Sequence, residues 1–295
     1  MLDANFKNHL QLHLIVFIWG FTAILGELIS LSALPLVWTR ILIALVLIFV
    51  YIKIRKISLK FSPKLITTFI VCGFVIALHW FTFFHAIKIS NISITLACIS
   101  TGAFFTSILE PIFFKRKIVW YEVFLGILVV VGLGIIFSVE TQYVAGILVA
   151  LFSAFLSASF SIINGKFAGK YDSNGISFYE LLGGLLFLTF CMFFIGGFTS
   201  EVFHFQKLDW LWLLILGSVC TAYPFIASIN IMKYLSPYTC MLTINLEPIY
   251  GILLAVIIFK NQEKMTPEFY LGAVIILSTV LLNVYFKNRK KRKVI

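Results

Sequence analysis

Residues 239–251 read TCMLTINLEPIYG and place a Glu-Pro pair, Glu247-Pro248, inside an apolar run from about Pro237 to Phe259. A carboxylate at that depth is costly to bury and indicates a functional site. The proline removes one helix hydrogen bond beside it, and the freed carbonyl needs a partner from neighbouring protein or cavity water. We therefore expect this segment and a counterpart around residues 86–111 to face a common interior.

The composition of the whole chain is that of a membrane protein. Hydrophobic residues make up 61% and charged residues 12%, against roughly 45–50% and 25% in soluble domains. A bilayer crossing needs about 20 apolar residues. Ten stretches meet that length, at roughly 10–30, 34–52, 65–87, 93–114, 118–138, 143–163, 176–196, 210–232, 237–259 and 267–286. The sequence predicts an all-α integral membrane protein with ten transmembrane helices and short connections.

The distribution of positive charge predicts the orientation of these helices. The net charge is +11, but most basic residues lie in alternate connections, such as 53–64 and 115–117, and in the C-terminal segment. Such a bias marks cytoplasmic loops and not a nucleic-acid surface. We expect both termini to be cytoplasmic, with residues 287–295 as a basic cytoplasmic tail, and no nucleic-acid partner.

The chain also repeats itself at an offset of 145 residues. Lys88 aligns with Lys233, and Phe114 aligns with Phe259. Each half then holds five helices, and an odd number forces the second half to enter the membrane in the opposite orientation, as in many secondary transporters. The predicted units are two inverted five-helix repeats, residues 1–139 and 140–286.

Two Glu-Pro pairs occupy different positions in this repeat. At the offset of 145, Glu247 corresponds to Gly102 and not to Glu110. Glu110 lies close to the basic stop at 115–117, so we expect it to pair locally with Arg116 or Lys115.

Several polar and aromatic residues within the spans are candidates for a substrate cavity. Glu247 is expected to bind a coupling proton or a substrate ammonium group, or else to be a structural carboxylate bonded to neighbouring helices. His79 is expected either to line the cavity or to be a neutral imidazole bonded within the bundle. The other candidates for the cavity are Trp19, Trp80, Tyr223 and Asn245, with helix bends at Pro224 and Pro248.

Two further patterns have alternative interpretations. Glu27 and Arg40 lie at similar depth on adjacent helices, which predicts an ion pair near the outer surface; the alternative is that each extends separately to the interface.

Ser153, Ser157 and Ser161 follow one helix face. That stripe predicts close helix packing first and a wetted cavity wall second.

Enzymatic chemistry has no support in the sequence. There is no HExxH motif, no GxSxG motif and no cluster of carboxylates, so no nucleophile and base are brought together. The five cysteines are scattered over five apolar runs, which indicates packing and not disulfides or metal ligands. We expect no enzyme activity, no metal and no cofactor.

The motif order resembles the drug/metabolite transporter superfamily, in its EamA-type branch with two five-helix repeats. The resemblance rests on Trp19-Gly20, Arg40, the aromatic-rich segment 80–88 (WFTFFHAIK) and Leu246-Glu247-Pro248. It covers about residues 10–286, although the second half lacks a Trp-Gly pair in its first helix.

This resemblance implies a secondary transporter that exports or exchanges amino-acid-like metabolites across a bacterial inner membrane by alternating access. Proton coupling stays open at this stage, as does the choice between a monomer and a homodimer. The alternative is a lipid-linked carrier or flippase on the same scaffold. The expected partners are a small-molecule substrate and the lipid bilayer.

Overall fold

The computed structural model describes residues 4–115, 117 and 119–292. They form an all-helical protein. The α-helices are α1 (Ala4–Leu28), α2 (Ala33–Arg55), α3 (Pro63–Ile89), α4 (Ile92–Ile99), α5 (Gly102–Phe114), α6 (Trp120–Val139), α7 (Val144–Phe167), α8 (Ser173–Phe194), α9 (Asp209–Gly217), α10 (Tyr223–Ile231), α11 (Pro237–Ile244), α12 (Glu247–Phe259) and α13 (Pro267–Arg292).

Nine segments of the described chain are long and apolar enough to cross a membrane. Three of these segments join two helices each, namely α4–α5, α9–α10 and α11–α12. The tenth expected span falls on α13, whose qualifying apolar part, Pro267–Thr279, is shorter than a span. A multi-pass membrane protein is therefore confirmed, whereas the count of ten helices and the orientation of the termini stay predictions. The end of the predicted basic tail, residues 293–295, lies outside the described residues.

The starts of the spans carry local sequence signals. The Ser62 hydroxyl accepts a hydrogen bond from the backbone N–H of Leu65, and Pro63 occupies the first turn of α3. The Asn91 side chain accepts from the N–H of Ile94 at 2.8 Å at the start of α4. These caps satisfy N–H groups that have no partner within the helix, and they fix the short turn between α3 and α4.

Glycines set the closest helix contacts. A β-carbon on Gly73 in α3 would overlap the backbone carbonyl of Glu180 in α8, and one on Gly183 would overlap the carbonyl of Ile70. In α6, a β-carbon on Gly132 would come within 2.8 Å of a backbone oxygen of α13. Small residues allow helix backbones to approach closely in membranes. The α3–α8 contact therefore holds the two halves of the chain together beside the interior.

Two of the spans are interrupted at equivalent places. The helix ends at Ile99 and resumes at Gly102 in one span, and it ends at Ile244 and resumes at Glu247 in the other. Ile244 lies 145 residues after Ile99, and Glu247 lies 145 residues after Gly102, which is the offset of the sequence repeat. In the second span, Pro248 has no N–H for the carbonyl of Ile244, and its place in the first turn of α12 is compatible with a helix start.

The span α9–α10 is irregular immediately before its proline. Residues Ser218–Ala222 form a five-residue π-helical segment, and Pro224 lies in the first turn of α10. Proline cannot donate to the carbonyl four residues earlier, and π-helical bulges accompany kinks of this kind. The irregularity beside Pro224 borders the same interior as the break beside Pro248.

Candidate functional site

The helix irregularities surround a cavity inside the bundle. It has a volume of about 80 Å³ and is bordered by residues of α1, α2, α3, α4, α7, α10, α11 and α12. Small-molecule sites usually measure about 300–1,000 Å³, so the cavity is contracted in this conformation. Its polar lining includes Arg40, His79, Ser157, Ser161, Asn164, Thr221 and Glu247.

Arg40 is the cation of this cavity. Its side chain is only 2% exposed, and its Nε donates to the Thr221 hydroxyl at 2.6 Å. The guanidinium carbon lies 4.3 Å from the ring centre of Trp80 and 5.4 Å from that of Phe84. Its Nη1 is buried and has no hydrogen-bond partner. A buried donor without an acceptor is costly, so Arg40 is prepared to bind an acceptor that enters the cavity.

Glu247 faces the same cavity from the first residue of α12. It is buried, and it interacts electrostatically with Arg40. The two groups are not within the 4.0 Å of a direct ion pair. One positive and one negative side chain therefore line one small space without neutralising each other by contact.

His79 is held in a fixed position on the cavity wall. The Ser153 hydroxyl donates to the backbone carbonyl of His79 at 2.9 Å, and His79 Nδ1 lies 2.9 Å from the backbone carbonyl of Ser153. Because a carbonyl oxygen can only accept, Nδ1 carries the proton in this contact, and Nε2 is left as an acceptor. Both sequence interpretations of His79 therefore describe part of its environment, since the ring is bonded within the bundle and also borders the cavity.

The remaining candidates from the sequence are divided between the cavity and other places. Trp19 and Trp80 border the cavity. Tyr223 does not, because its side chain is 47% exposed on the outside of the bundle. Asn245 is buried but borders a separate cavity of about 20 Å³ on another face of its segment, together with Glu122. Adjacent residues at a helix break point in different directions, and sequence position alone did not distinguish them.

The structure does not bring Glu27 and Arg40 together, in contrast to the expected outer ion pair. The Glu27 carboxylate lies 3.8 Å from Lys88 Nζ, and the same ammonium group donates to the backbone carbonyl of Ile29 at 2.9 Å. Arg40 instead points into the bundle, because Thr221 and the ring of Trp80 offer it contacts there. The expected pair is therefore not formed in this conformation, where Glu27 lies beside Lys88 and Arg40 contacts Thr221.

The cavity also includes residues that the sequence analysis treated as packing. Ser157 and Ser161 border it, and Asn164 continues the same face of α7. Ser161 Oγ and Asn164 Oδ1 are buried without hydrogen-bond partners. Asn164, the third residue after Ser161 on this face, is polar, and this extension of the stripe was the sign in the sequence that the face borders a cavity.

In each of the two broken spans, a carboxylate from elsewhere in the chain caps the N-terminus of the first helix. Glu263, which follows α12, accepts from the N–H groups of Ile92 and Ser93 at 2.9 Å each and from the Ser93 hydroxyl at 2.7 Å. Glu110 in α5 accepts from the N–H of Tyr238 in the first turn of α11 at 2.9 Å. The positive end of a helix dipole favours a carboxylate at this place. The local pairing expected for Glu110, with Arg116 or Lys115, stays a prediction, because Arg116 lies outside the described residues.

No group of three or more His, Cys, Asp or Glu side chains with metal-binding geometry occurs among the described residues. The cavity itself offers a hydrogen-bonding and charged lining. Its chemistry suits the reversible binding of a small polar solute between aromatic walls.

Comparison with known proteins agrees with this architecture. The profile of the EamA-like transporter family matches the chain twice, over residues 8–138 and 144–285. A solved structure titled "Crystal structure of protein" has the same fold, with a TM-score of 0.70 and 14% sequence identity over 94% of this chain and 96% of that one. No curated protein matches the chain. The resemblance drawn from the sequence is thereby confirmed, and the chain belongs to the EamA-like transporter family, whose members are membrane transporters of the drug/metabolite type.

Proposed function

We propose that this protein is a secondary transporter that exports or exchanges small, amino-acid-like metabolites across a bacterial inner membrane. The observation that carries the proposal is the pairing of Arg40 and Glu247 in one membrane-embedded cavity without a direct ion pair. Ionisable residues within membrane spans usually mark a substrate or ion path.

The chemistry of the two groups favours a solute with both charges. The free Nη1 of Arg40 is suited to a carboxylate oxygen, and the Glu247 carboxylate is suited to an ammonium group. The rings of Trp80, Phe83, Phe160 and Phe225 cover other parts of the wall and favour an apolar substituent. A zwitterion with an apolar side chain satisfies all three features.

The mechanism we propose is alternating access between two inverted five-helix repeats, residues 1–139 and 140–286, with both termini in the cytoplasm. The broken spans α4–α5 and α11–α12 are its moving elements, because an interrupted helix can tilt its two parts separately. The Glu263 cap would close the outer end and the Glu110 cap the inner end. Both caps are formed in this conformation, which suits an occluded state and the small volume of the cavity.

The test is counterflow of radiolabelled solutes in proteoliposomes, with a panel of amino acids and their decarboxylated and amine-free analogues. We expect Arg40→Lys to raise KM about 10–100-fold for solutes that carry a carboxylate, because losing a charge-assisted hydrogen bond costs about 1.5–3 kcal/mol. Lysine keeps the charge but not the planar fork of donors. Glu247→Gln is expected to raise KM for solutes with an ammonium group.

The matched control is Glu27→Gln, a carboxylate at the surface that does not border the cavity. It should leave KM unchanged. Unchanged KM in both cavity variants would refute the assigned binding roles. Absence of counterflow for every solute, with movement of a labelled lipid instead, would replace the proposal with the lipid-carrier alternative.

A further inference from the structure

A second buried carboxyl, Glu180 in α8, lies outside the substrate cavity but next to its wall. Its side chain is 0% exposed. Its Oε2 accepts a hydrogen bond from Asn164 Nδ2 at 3.3 Å, and the Cys72 thiol in α3 is a further hydrogen-bonding neighbour. Its Oε1 is buried without a hydrogen-bond partner. The sequence analysis assigned no role to this residue.

The Glu180 carboxyl has no counter-charge in direct contact among the described residues. From α3 its titratable neighbour is the Cys72 thiol, and from α7 its contact is the neutral Asn164. The helices α2 and α10 also pack against α8, and no described cation lies within 4.0 Å of the Glu180 carboxyl. An isolated buried charge costs several kcal/mol, and such surroundings favour the neutral form of a carboxyl.

Glu247 is in a different situation. It shares its cavity with Arg40, whose positive charge acts on it. A carboxylate with a cation nearby can stay ionised and bind a substrate cation. Glu180 and Glu247 therefore differ in their surroundings, because Glu247 shares a cavity with Arg40 and Glu180 has no described cation within 4.0 Å.

Polar groups connect Glu180 to two cavities. Asn164 borders the central cavity beside Ser161, and both Asn164 Oδ1 and Ser161 Oγ are buried without partners. On the other side, Cys72 borders a cavity of about 390 Å³ that is also lined by Thr67, Thr68 and Lys166. Unsatisfied buried polar atoms of this kind are places where water enters. Water in either cavity would come close to the carboxyl.

We propose that Glu180 is the proton-exchange site that couples this transporter to a pH gradient. The inference rests on the proposed transport function. In each cycle the carboxylate takes one proton from water on one side of the membrane and returns it to water on the other side. A solute in the central cavity displaces the water beside Asn164. Glu180 therefore exchanges its proton with the central cavity only while no solute is bound there.

The test measures two things separately: the exchange of solute at equal pH, and the accumulation of solute that a pH gradient drives. Parent protein and Glu180→Gln are reconstituted, and labelled amino-acid counterflow at equal pH is compared with accumulation driven by an imposed pH gradient. Glutamine has nearly the shape of a protonated glutamate but cannot release a proton. We expect Glu180→Gln to keep counterflow within about threefold of the parent and to lose gradient-driven accumulation at least tenfold.

The control variant is Glu247→Gln, which is expected to impair both assays because it alters the substrate cavity. A purely structural role for Glu180 predicts that Glu180→Gln leaves both assays unchanged, and that result would overturn the inference. A parent protein that shows counterflow but no response to the pH gradient would overturn it as well. Absence of counterflow in the parent would instead refute the proposed transport function.

A second variant addresses the case in which Glu180→Gln does not fold. Cys72→Ala removes the thiol that is a hydrogen-bonding neighbour of Glu180 and leaves both the carboxyl and the lining of the central cavity in place. It should slow gradient-driven accumulation severalfold with counterflow unchanged. Equal rates in both assays for parent and Cys72→Ala would then contradict the proton path beside Cys72.

Discussion

The Glu263 cap makes a quantitative prediction about how one end of the bundle, at the start of α4, is held together. The Glu263 side chain is buried and accepts two backbone N–H groups and one hydroxyl from the first turn of α4, across about 170 residues of sequence. Replacing it with glutamine leaves a single acceptor oxygen. At least one of the N–H groups of Ile92 and Ser93 then loses its partner.

The expected cost follows from these bonds. A buried N–H without an acceptor costs about 1–3 kcal/mol, and loss of the negative charge at a helix N-terminus costs about 0.3–1 kcal/mol more. We therefore expect Glu263→Gln to destabilise the closed end by about 1.5–4 kcal/mol. That corresponds to roughly 10- to 1,000-fold faster hydrogen exchange wherever exchange proceeds through local opening.

The assay is amide hydrogen exchange by mass spectrometry in detergent or nanodiscs, followed in a peptide that contains Ile92 and Ser93. The matched control is Glu268→Gln, an exposed carboxylate near the start of α13. It should change exchange in that peptide by less than threefold, since exposed substitutions usually stay within about 0.5 kcal/mol. Equal exchange in Glu263→Gln and Glu268→Gln would refute the capping role and the gate assigned to it.

Two other predictions concern the scaffold around the site and can be measured by unfolding in detergent. Gly73→Ala places a methyl group against a backbone carbonyl of α8 and should destabilise the protein by about 1–3 kcal/mol. The control is Gly134→Ala, where a β-carbon would have nothing within 4 Å, and it should be neutral or stabilising by up to about 1 kcal/mol. Equal stabilities of the two variants would contradict the close α3–α8 contact. Ser153→Ala removes the hydroxyl that holds His79 and should cost about 1 kcal/mol. The control Ser159→Ala, at a partly exposed position whose hydroxyl bonds only within its own helix, should stay within about 0.5 kcal/mol. Equal stabilities of the two variants would refute the role of the Ser153 hydroxyl in holding His79.

The sequence by itself determined the class of the protein and the break beside Pro248, but not the break between Ile99 and Gly102. Apolar length depends on local composition, so nine of the ten expected spans coincide with long apolar helical segments of the described chain to within about four residues. Caps and prolines act on the backbone beside them, which is why the segment around Glu247-Pro248 was recognisable as an interrupted span. The order of motifs was also sufficient to identify the family.

Only the tertiary structure decided the partners of the charged residues. Arg40 could contact Glu27 or Thr221 according to its position in sequence, and the packing of α2 against the irregular segment Ser218–Ala222 selected Thr221. Likewise, Asn245 and Glu247 are two residues apart and border different cavities. Helical periodicity is interrupted between them, so no fixed angle relates their side chains.

The long-range polar contacts have the same origin. Glu263 meets α4, and Asn164 meets Glu180, because whole helices come together through glycine contacts and apolar packing. Sequence patterns report neighbours along one helix face, whereas these pairs belong to different helices or loops. The packing of the whole bundle therefore decides whether a buried ionisable group has an oppositely charged neighbour.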